Sequence, residues 1–330
     1  MIRPRTAALA VLTAAALVAG GCGTTEDPDP EPTGPAATGG PVTVTDSRGE
    51  PVSLPAPAQR VVGLEWGEVE MLVSLGVMPV GVADMDGYRT WVSAAPLDPG
   101  VTDVGLRGEP SVDAIVSLSP DLVVMEAERG SALVTQLEEY VPVLVAEGSD
   151  AGGNLERMRE DLRMIATAVG RTEQAENLLS ELDTGLATDR DQIAAAGGTG
   201  QRFAMADGWR QGSAISIRMF GTGSLVSEVA GELGLANAWT GEVDEVWGLG
   251  NTDPEGLKEV LSDEDDLRFF YNASDGDDVF ADGLAGNPLW DRLPFVAQEQ
   301  VNKLPDGIWT FGGPLSCRQF ADAMVAAYAG

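Results

Sequence analysis

Three tryptophans and one phenylalanine stand where aromatic side chains could line a binding cleft. They are Trp66, Trp247, Trp309 and Phe311. Each tryptophan follows an apolar, strand-like run and precedes a loop or a helix start. In parallel α/β sheets that end of a strand faces the binding crevice. A single indole could equally fill a core, but three at corresponding strand ends favour a shared aromatic wall.

Two arginines, Arg107 and Arg129, also come just after predicted strands. A guanidinium group presents planar donors to oxygen acceptors and stacks on aromatic rings. The two arginines could therefore hold an oxygen-rich ligand between the aromatic side chains. Each could instead form a surface ion pair, with Glu109 or Glu128 respectively, and spacing alone leaves both interpretations open.

Two acidic residues, Asp113 and Glu255, each occupy the second position of a predicted helix. Either one is explained by its favourable interaction with the helix dipole. Their matching positions in the two halves of the chain suggest a second use, as paired negative groups for an electropositive partner surface. The chain has 52 acidic residues in all, so no pair of carboxylates is marked as the acid pair of a hydrolase.

Composition excludes several kinds of chemistry. The chain contains no histidine, which removes the Ser-His-Asp triad, the Cys-His pair and the usual histidine-rich metal sites. The net charge of −32 argues against binding nucleic acid or anionic lipid through a basic patch. There are only two cysteines, and if Cys22 is lipidated then Cys317 has no disulfide partner.

The N-terminus is typical of an exported lipoprotein. Residues 1–21 have two arginines followed by a short apolar run, which predicts a signal peptide. Small residues then precede Cys22, as in a bacterial lipobox, and predict lipidation of that cysteine. Residues 22–41 are rich in proline, glycine and acid and predict a disordered tether. This places the folded part at the outer face of the cytoplasmic membrane; ordinary secretion without a lipid is the alternative.

The remaining sequence predicts two α/β lobes. Residues 42–150 alternate short apolar strands with helices, as in a Rossmann-like layer structure. Residues 151–200 keep helical spacing throughout and predict a helical connector. Residues 201–330 repeat the first plan, which predicts two Rossmann-like lobes with central sheets, joined by a long helix. A cleft between such lobes is a usual place for a ligand.

Over roughly residues 58–328 the chain resembles the ferric hydroxamate (ferrichrome-type) siderophore-binding proteins of ABC importers. The runs that carry the resemblance are 64–66, 70–77, 81–84, 88–93, 103–107, 237–242, 288–296 and 309–316. The resemblance implies ligand contacts for Trp66, Arg107, Trp247, Trp309 and Phe311. Arg129 stands where the resemblance implies a tyrosine contact, and the resemblance implies tyrosine as an alternative to Phe311.

The same resemblance implies that Asp113 and Glu255 dock onto arginine pockets of a permease. The expected protein binds a ferric siderophore, has no enzymatic activity and no cofactor, and works as a monomer with the permease and its ATPase. Because the six oxygens of a tris-hydroxamate already saturate Fe(III), no metal ligand from the protein is needed. The connector between the lobes further predicts only a small closure on binding.

Other functions remain open from the sequence. A receptor for another bulky chelate, such as cobalamin, haem or a catecholate siderophore, would have the same fold and a similar cleft. A cell-wall enzyme would need a nucleophile or an acid pair in the cleft. A structural surface lipoprotein should have no cleft lined by tryptophan and arginine.

Overall fold

The computed structural model describes residues 39–127, 131–212, 214–262 and 266–330. These residues belong to one unit, Ala37–Gly330. The predicted signal peptide at 1–21, the predicted lipidation site Cys22 with most of the tether, and Arg129 lie outside the described residues.

The first half of the chain builds a parallel sheet of five strands. In spatial order they are β5 (Thr102–Asp103), β4 (Gly81–Val82), β3 (Val61–Gly63), β8 (Leu122–Glu126) and β9 (Val143–Ala146). Every residue of β8 is buried, as expected for a strand covered on both faces. All five strands overlap strands predicted from apolar runs, so the parallel sheet is confirmed.

Four helices accompany this sheet: α1 (Trp66–Ser74), α2 (Met85–Trp91), α3 (Val112–Ser117) and α4 (Ser131–Glu138). Helices α1, α2 and α3 begin with side-chain caps. The Ser111 hydroxyl accepts a hydrogen bond from the Ala114 amide at 3.2 Å, as the sequence predicts. After α1, Gly76 adopts a φ of 76°, a conformation that glycine reaches without strain.

Two hairpins were not predicted. β1 (Val42–Thr45) and β2 (Pro51–Leu54) pair antiparallel at the start of the described chain. β6 (Gly105–Leu106) and β7 (Glu109–Pro110) form a smaller antiparallel pair. Arg107 lies in the turn between β6 and β7, so this short hairpin determines where its side chain begins.

Between the two sheets the chain forms α5 (Asn154–Ala168) and α6 (Thr172–Ala195). With 24 residues, α6 is about 36 Å long. It packs against the C-terminal helix α10 (Pro314–Ala329). One continuous hydrophobic core includes Leu72 of α1, Leu162 of α5, Leu182 of α6 and Phe320 of α10. The connector thus shares its core with both halves, while the division into lobes at 42–150, 151–200 and 201–330 stays a prediction.

The second sheet is mixed. Its main order is β13 (Leu249–Thr252), β11 (Ala214–Phe220), β10 (Arg202–Gln211), β14 (Leu267–Asn272) and β15 (Val301–Lys303), with β12 (Ala236–Asn237) beside the start of β10. Strands β12, β14 and β15 run parallel within the sheet, whereas β11 is antiparallel to β10 and to β13. The prediction that this half repeats the first plan is therefore wrong for β11, the strand that runs against the direction of the others. Strand β11 pairs directly with β10, with Gln211 opposite Ala214.

The second half also contains α7 (Leu225–Glu232), α8 (Pro254–Leu261), a π-helical turn (Val279–Gly283) and α9 (Pro294–Ala297). A separate aromatic core fills one face of its sheet. There Phe269 stacks on Phe295 with ring centroids 5.0 Å apart. This packing holds β14 in place, and the loop that follows β14 reaches the candidate site.

Candidate functional site

Trp66 and Trp309 form the centre of the candidate site. Trp66 opens α1, and its indole N–H donates to the Ala83 carbonyl at 3.2 Å. The Trp309 ring meets it edge-on, with centroids 5.0 Å apart. Trp66 is 5% exposed and belongs to a core cluster. Its ring therefore acts both as core packing and as the base of the site.

Arg107 lies on this aromatic pair. Its guanidinium carbon is 4.0 Å from the Trp66 ring centroid and 5.6 Å from that of Trp309. Its Nη1 is 3.0 Å from Oε1 of Glu65, the residue that caps α1. Arg107 therefore stacks on both rings and forms an ion pair with Glu65. Its role in holding a ligand stays a prediction.

A chain of rings continues from Trp309 to Trp247. Phe311 lies 5.1 Å from Trp309 and 5.3 Å from Trp247, centroid to centroid. Trp247 precedes strand β13 rather than following a strand, so that part of the sequence argument is wrong. The structure nevertheless brings Trp66, Trp247, Trp309, Phe311 and Arg107 together.

Two cavities open onto these residues. The first, the aromatic cavity, has a volume of about 290 Å³ and is lined by Glu65, Arg107, Glu126, Arg218, Trp247, Leu249, Trp309 and Phe311. The second, the aspartate cavity, has about 260 Å³ and is lined by Trp66, Trp91, Arg107, Asp207, Gly208, Arg218, Asn272, Ala273, Asp275, Trp309 and Thr310. Their walls share Arg107, Arg218 and Trp309. Residues from both sheets contribute, so the site lies between the two halves.

A larger groove of about 530 Å³ lies elsewhere, between β2 and the connection from α4 to β9. Charged side chains such as Arg48 and Glu138 are ion-paired with each other there at 2.9 Å. Tyr140 is the one aromatic residue among those that line this groove. We take the smaller pair of cavities as the candidate site because rings and guanidinium groups converge on them.

Arg218 is the site residue that the sequence analysis missed. It lies on β11 opposite Asp207 of β10, and its Nε donates to Asp207 Oδ1 at 3.0 Å, with a second, close contact from Nη2. Its guanidinium carbon is 5.2 Å from the Phe311 ring centroid. The available signal was a charged residue between the apolar residues Ile217 and Met219, on the opposite face of an alternating strand.

Buried carboxylates surround the base of the site. Burial raises the pKa of Glu68 well above its ordinary value, and the charges of Glu126, Glu65 and Asp161 add to the rise. Burial also raises the pKa of Asp161, although Arg157 opposes this at 2.9 Å. Glu68 and Trp247 both line a further small pocket. The first half of the chain therefore presents negative charge or bound protons to the cleft.

Replacing Glu68 by glutamine should stabilise the fold at neutral pH. The pKa of Glu68 is higher in the folded protein than in the unfolded chain. The free energy of unfolding of the wild type therefore falls as the pH rises from about 4.5 towards the folded-state pKa. The variant has no such loss, so we expect a gain of about 1 kcal/mol at pH 7 that disappears below pH 4. Thermal unfolding across this pH range measures it, with the exposed Glu181→Gln on α6 as control. Equal melting temperatures for wild type and Glu68→Gln at every pH would contradict the expectation.

The other described residues that were singled out in the sequence do not line the two cavities. Asp113 and Glu255 are both exposed and stand in the first turns of α3 and α8. Arg129 and Cys22 lie outside the described residues. Cys317 is a buried free thiol in α10, and burial raises its pKa.

Among residues 39–127, 131–212, 214–262 and 266–330, no group of three or more cysteine, aspartate or glutamate side chains is arranged to hold a metal ion. In the same part of the chain, no helix has the length and apolar character to cross a membrane.

Comparison with known proteins adds to this picture. Residues 61–307 match the model of the periplasmic binding protein family. The chain is 31% identical to the iron(3+)-hydroxamate-binding protein FhuD of Escherichia coli K12, covering 82% of this chain and 87% of that protein. It is 26% identical to the Fe(3+)-citrate-binding protein YfmC of Bacillus subtilis, covering 92% and 90%. The crystal structure of Fe3+-Desferal-bound FhuD from Vibrio cholerae has the same fold, with a TM-score of 0.72, 23% identity and coverage of 82% and 98%.

Proposed function

Because this chain belongs to the periplasmic binding protein family, we propose that it captures ferric hydroxamate siderophores outside the cell and delivers them to an ABC importer. The E. coli relative is named for binding iron(3+)-hydroxamate. We assign the same class of ligand to the present chain. It describes a binding protein that acts as a monomer and catalyses no reaction; sedimentation equilibrium and the recovery of unchanged ligand test these two statements.

One observation carries the proposal: two arginines and a chain of aromatic rings converge on adjoining cavities between the two halves. In a ferric tris-hydroxamate, the iron is already saturated by six oxygens. What such a ligand requires from a protein is hydrogen-bond donors for the hydroxamate oxygens and apolar surfaces for its flanks. Arg107 and Arg218 supply donors, while Trp66, Trp309 and Trp247 supply the surfaces.

Tryptophan fluorescence tests the ligand class. The purified protein is titrated with ferrioxamine, ferrichrome, a ferric tris-catecholate, cobalamin and haem, and with iron-free forms of the siderophores. We expect saturable quenching by the ferric hydroxamates, with affinity at least tenfold above that for the iron-free forms. Tighter binding of cobalamin, haem or the catecholate would overturn the hydroxamate proposal and favour the corresponding chelate.

We also propose that Asp113 and Glu255 dock the loaded protein onto the permease. Asp113→Ala and Glu255→Ala should each lower siderophore-dependent iron uptake severalfold in cells, since each removes one exposed charge from the contact. The dissociation constant for the ligand should stay unchanged, because neither residue lines the cavities. The control is Glu173→Ala, an exposed acid in the first turn of α6. Uptake equal to that of the control would contradict this role.

The proposed membrane attachment rests on Cys22. Its position after Ala19-Gly20-Gly21 fits lipidation and removal of residues 1–21. Labelling of cells with a radioactive fatty acid should mark the wild-type chain but not Cys22→Ser. Label retained by the variant would exclude this anchor.

A further inference from the structure

Both arginines that face the cavities are already paired with carboxylates. Arg107 is 3.0 Å from Glu65, whose side chain is only 9% exposed. Arg218 is held by Asp207 through both carboxylate oxygens. A guanidinium group paired in this way still offers N–H donors, but most of its positive charge is compensated before a ligand arrives. These two arginines can therefore bind oxygen atoms without selecting an anion.

The aspartate cavity contains a further carboxylate. Asp275 follows β14, is exposed and accepts a hydrogen bond from the Asp277 amide at 3.2 Å. Within the described residues, no arginine or lysine lies at ion-pair distance from it. Burial raises the pKa of Asp207, Arg218 opposes that rise, and the nearby charge of Asp275 adds to it. This end of the site therefore carries uncompensated negative charge.

The same cavity has indole walls. Trp91 and Trp309 both line it, with ring centroids 6.3 Å apart and planes inclined at 60°. Trp66 closes it from below. Indole rings attract cations through their negative faces, and a nearby carboxylate adds Coulomb attraction. A cavity that combines the two suits a protonated amine.

We propose that the aspartate cavity binds an ammonium group on the siderophore, beside the iron-hydroxamate core. The preferred ligand is then a ferric trihydroxamate that carries a positive charge, in preference to neutral or anionic chelates. This inference rests on the proposed function and specifies its substrate class. Asp275 is the specificity-determining residue, and the indoles of Trp91 and Trp309 are the surfaces that face the ammonium group.

The test compares two ligands with the same iron core. Ferrioxamine B ends in a free ammonium group, and its N-acetyl derivative is neutral. Fluorescence titration of the wild-type protein should give about fivefold tighter binding of the charged form, a ratio typical of one partly exposed charge contact with aromatic support. The ratio should fall at high ionic strength.

Asp275→Asn should bring this ratio close to one, because it removes the carboxylate that favours the charged ligand. The control is Asp291→Asn, an exposed aspartate that does not line the cavity and should keep the wild-type ratio. A wild-type ratio near one, or an unchanged ratio in Asp275→Asn, would overturn the inference while leaving the proposed function intact. If neither ferrioxamine binds but ferrichrome does, only this inference is overturned; if no ferric hydroxamate binds, the proposed function fails and this inference fails with it.

Discussion

Arg107→Ala is expected to weaken binding of a ferric trihydroxamate at least tenfold. The side chain lies over Trp66 at 4.0 Å and lines both cavities, so its removal takes away donors for the hydroxamate oxygens and one wall of the site. Loss of charge-assisted hydrogen bonds in such a position costs about 1.5–3 kcal/mol. Arg107→Lys should also bind weakly, because an ammonium group cannot stack on the indole and donate in a planar fork. Fluorescence titration measures both variants.

A matched control separates this effect from the loss of any arginine. Arg163→Ala removes an arginine that pairs with Glu176 at 2.8 Å on α5 and α6, away from the cavities, and should bind as the wild type does. Because Arg107→Ala also leaves Glu65 without this partner, the double variant with Glu65→Gln should be titrated as well. Wild-type affinity in both Arg107→Ala and Arg107→Lys would show that Arg107 does not contribute to ligand binding.

Glu70→Ala is expected to lower the free energy of unfolding by about 3 kcal/mol. Glu70 lies on α1 and is completely buried. Its carboxylate accepts hydrogen bonds from the Leu315 and Ser316 amides at 3.1 and 2.9 Å and from the Ser316 hydroxyl at 2.5 Å. It therefore satisfies the N-terminus of α10, for which Gly313 offers no side-chain cap. Without it, the buried Ser316 amide and the half-buried Leu315 amide lose their acceptor, at about 1–3 kcal/mol for each unsatisfied group.

Chemical denaturation measures this loss, and two variants test its cause. Glu70→Gln keeps an acceptor oxygen and should lose less stability than Glu70→Ala. Ser316→Ala removes only the hydroxyl donor and should lose about 1 kcal/mol. Since Trp309 and Phe311 directly precede α10, Glu70→Ala should also weaken ligand binding in the fraction that stays folded. Equal stability of wild type and Glu70→Ala would show that the hydrogen bonds from Glu70 to α10 make no net contribution to the free energy of unfolding.

The parallel strands and the connector helices could be predicted from local patterns. The fully buried strand β8 appears in the sequence as a continuous apolar run, and α5 and α6 show regular helical spacing. The antiparallel strand β11 could not be predicted in this way. It contains Ser216 and Arg218 among apolar residues, so its composition does not identify β10 as its partner strand. Such pairing depends on register across the hairpin.

The candidate site divides in the same manner. The positions of Trp66, Trp309 and Arg107 relative to strand ends indicated a shared cleft, and the structure brings them together. The ion pairs could not be anticipated, because Glu65 meets Arg107 only after α1 and the β6–β7 hairpin fold against each other. The pair of Asp207 and Arg218 likewise requires the β10–β11 register. Charge compensation, and with it the preference for a cationic ligand, is therefore a property of the tertiary structure.

The hydrophobic core that joins α1, α5, α6 and α10 affects how ligand-free and ligand-bound molecules compete for the permease. Because both halves share one core, large movements between them are disfavoured. We therefore expect the surroundings of Asp113 and of Glu255 to be similar in ligand-bound and ligand-free molecules. Vacant molecules should then compete with filled ones for the importer. Iron uptake would slow when ligand-free protein is in excess. The transporter would then have to distinguish the two forms by contacting the bound siderophore itself.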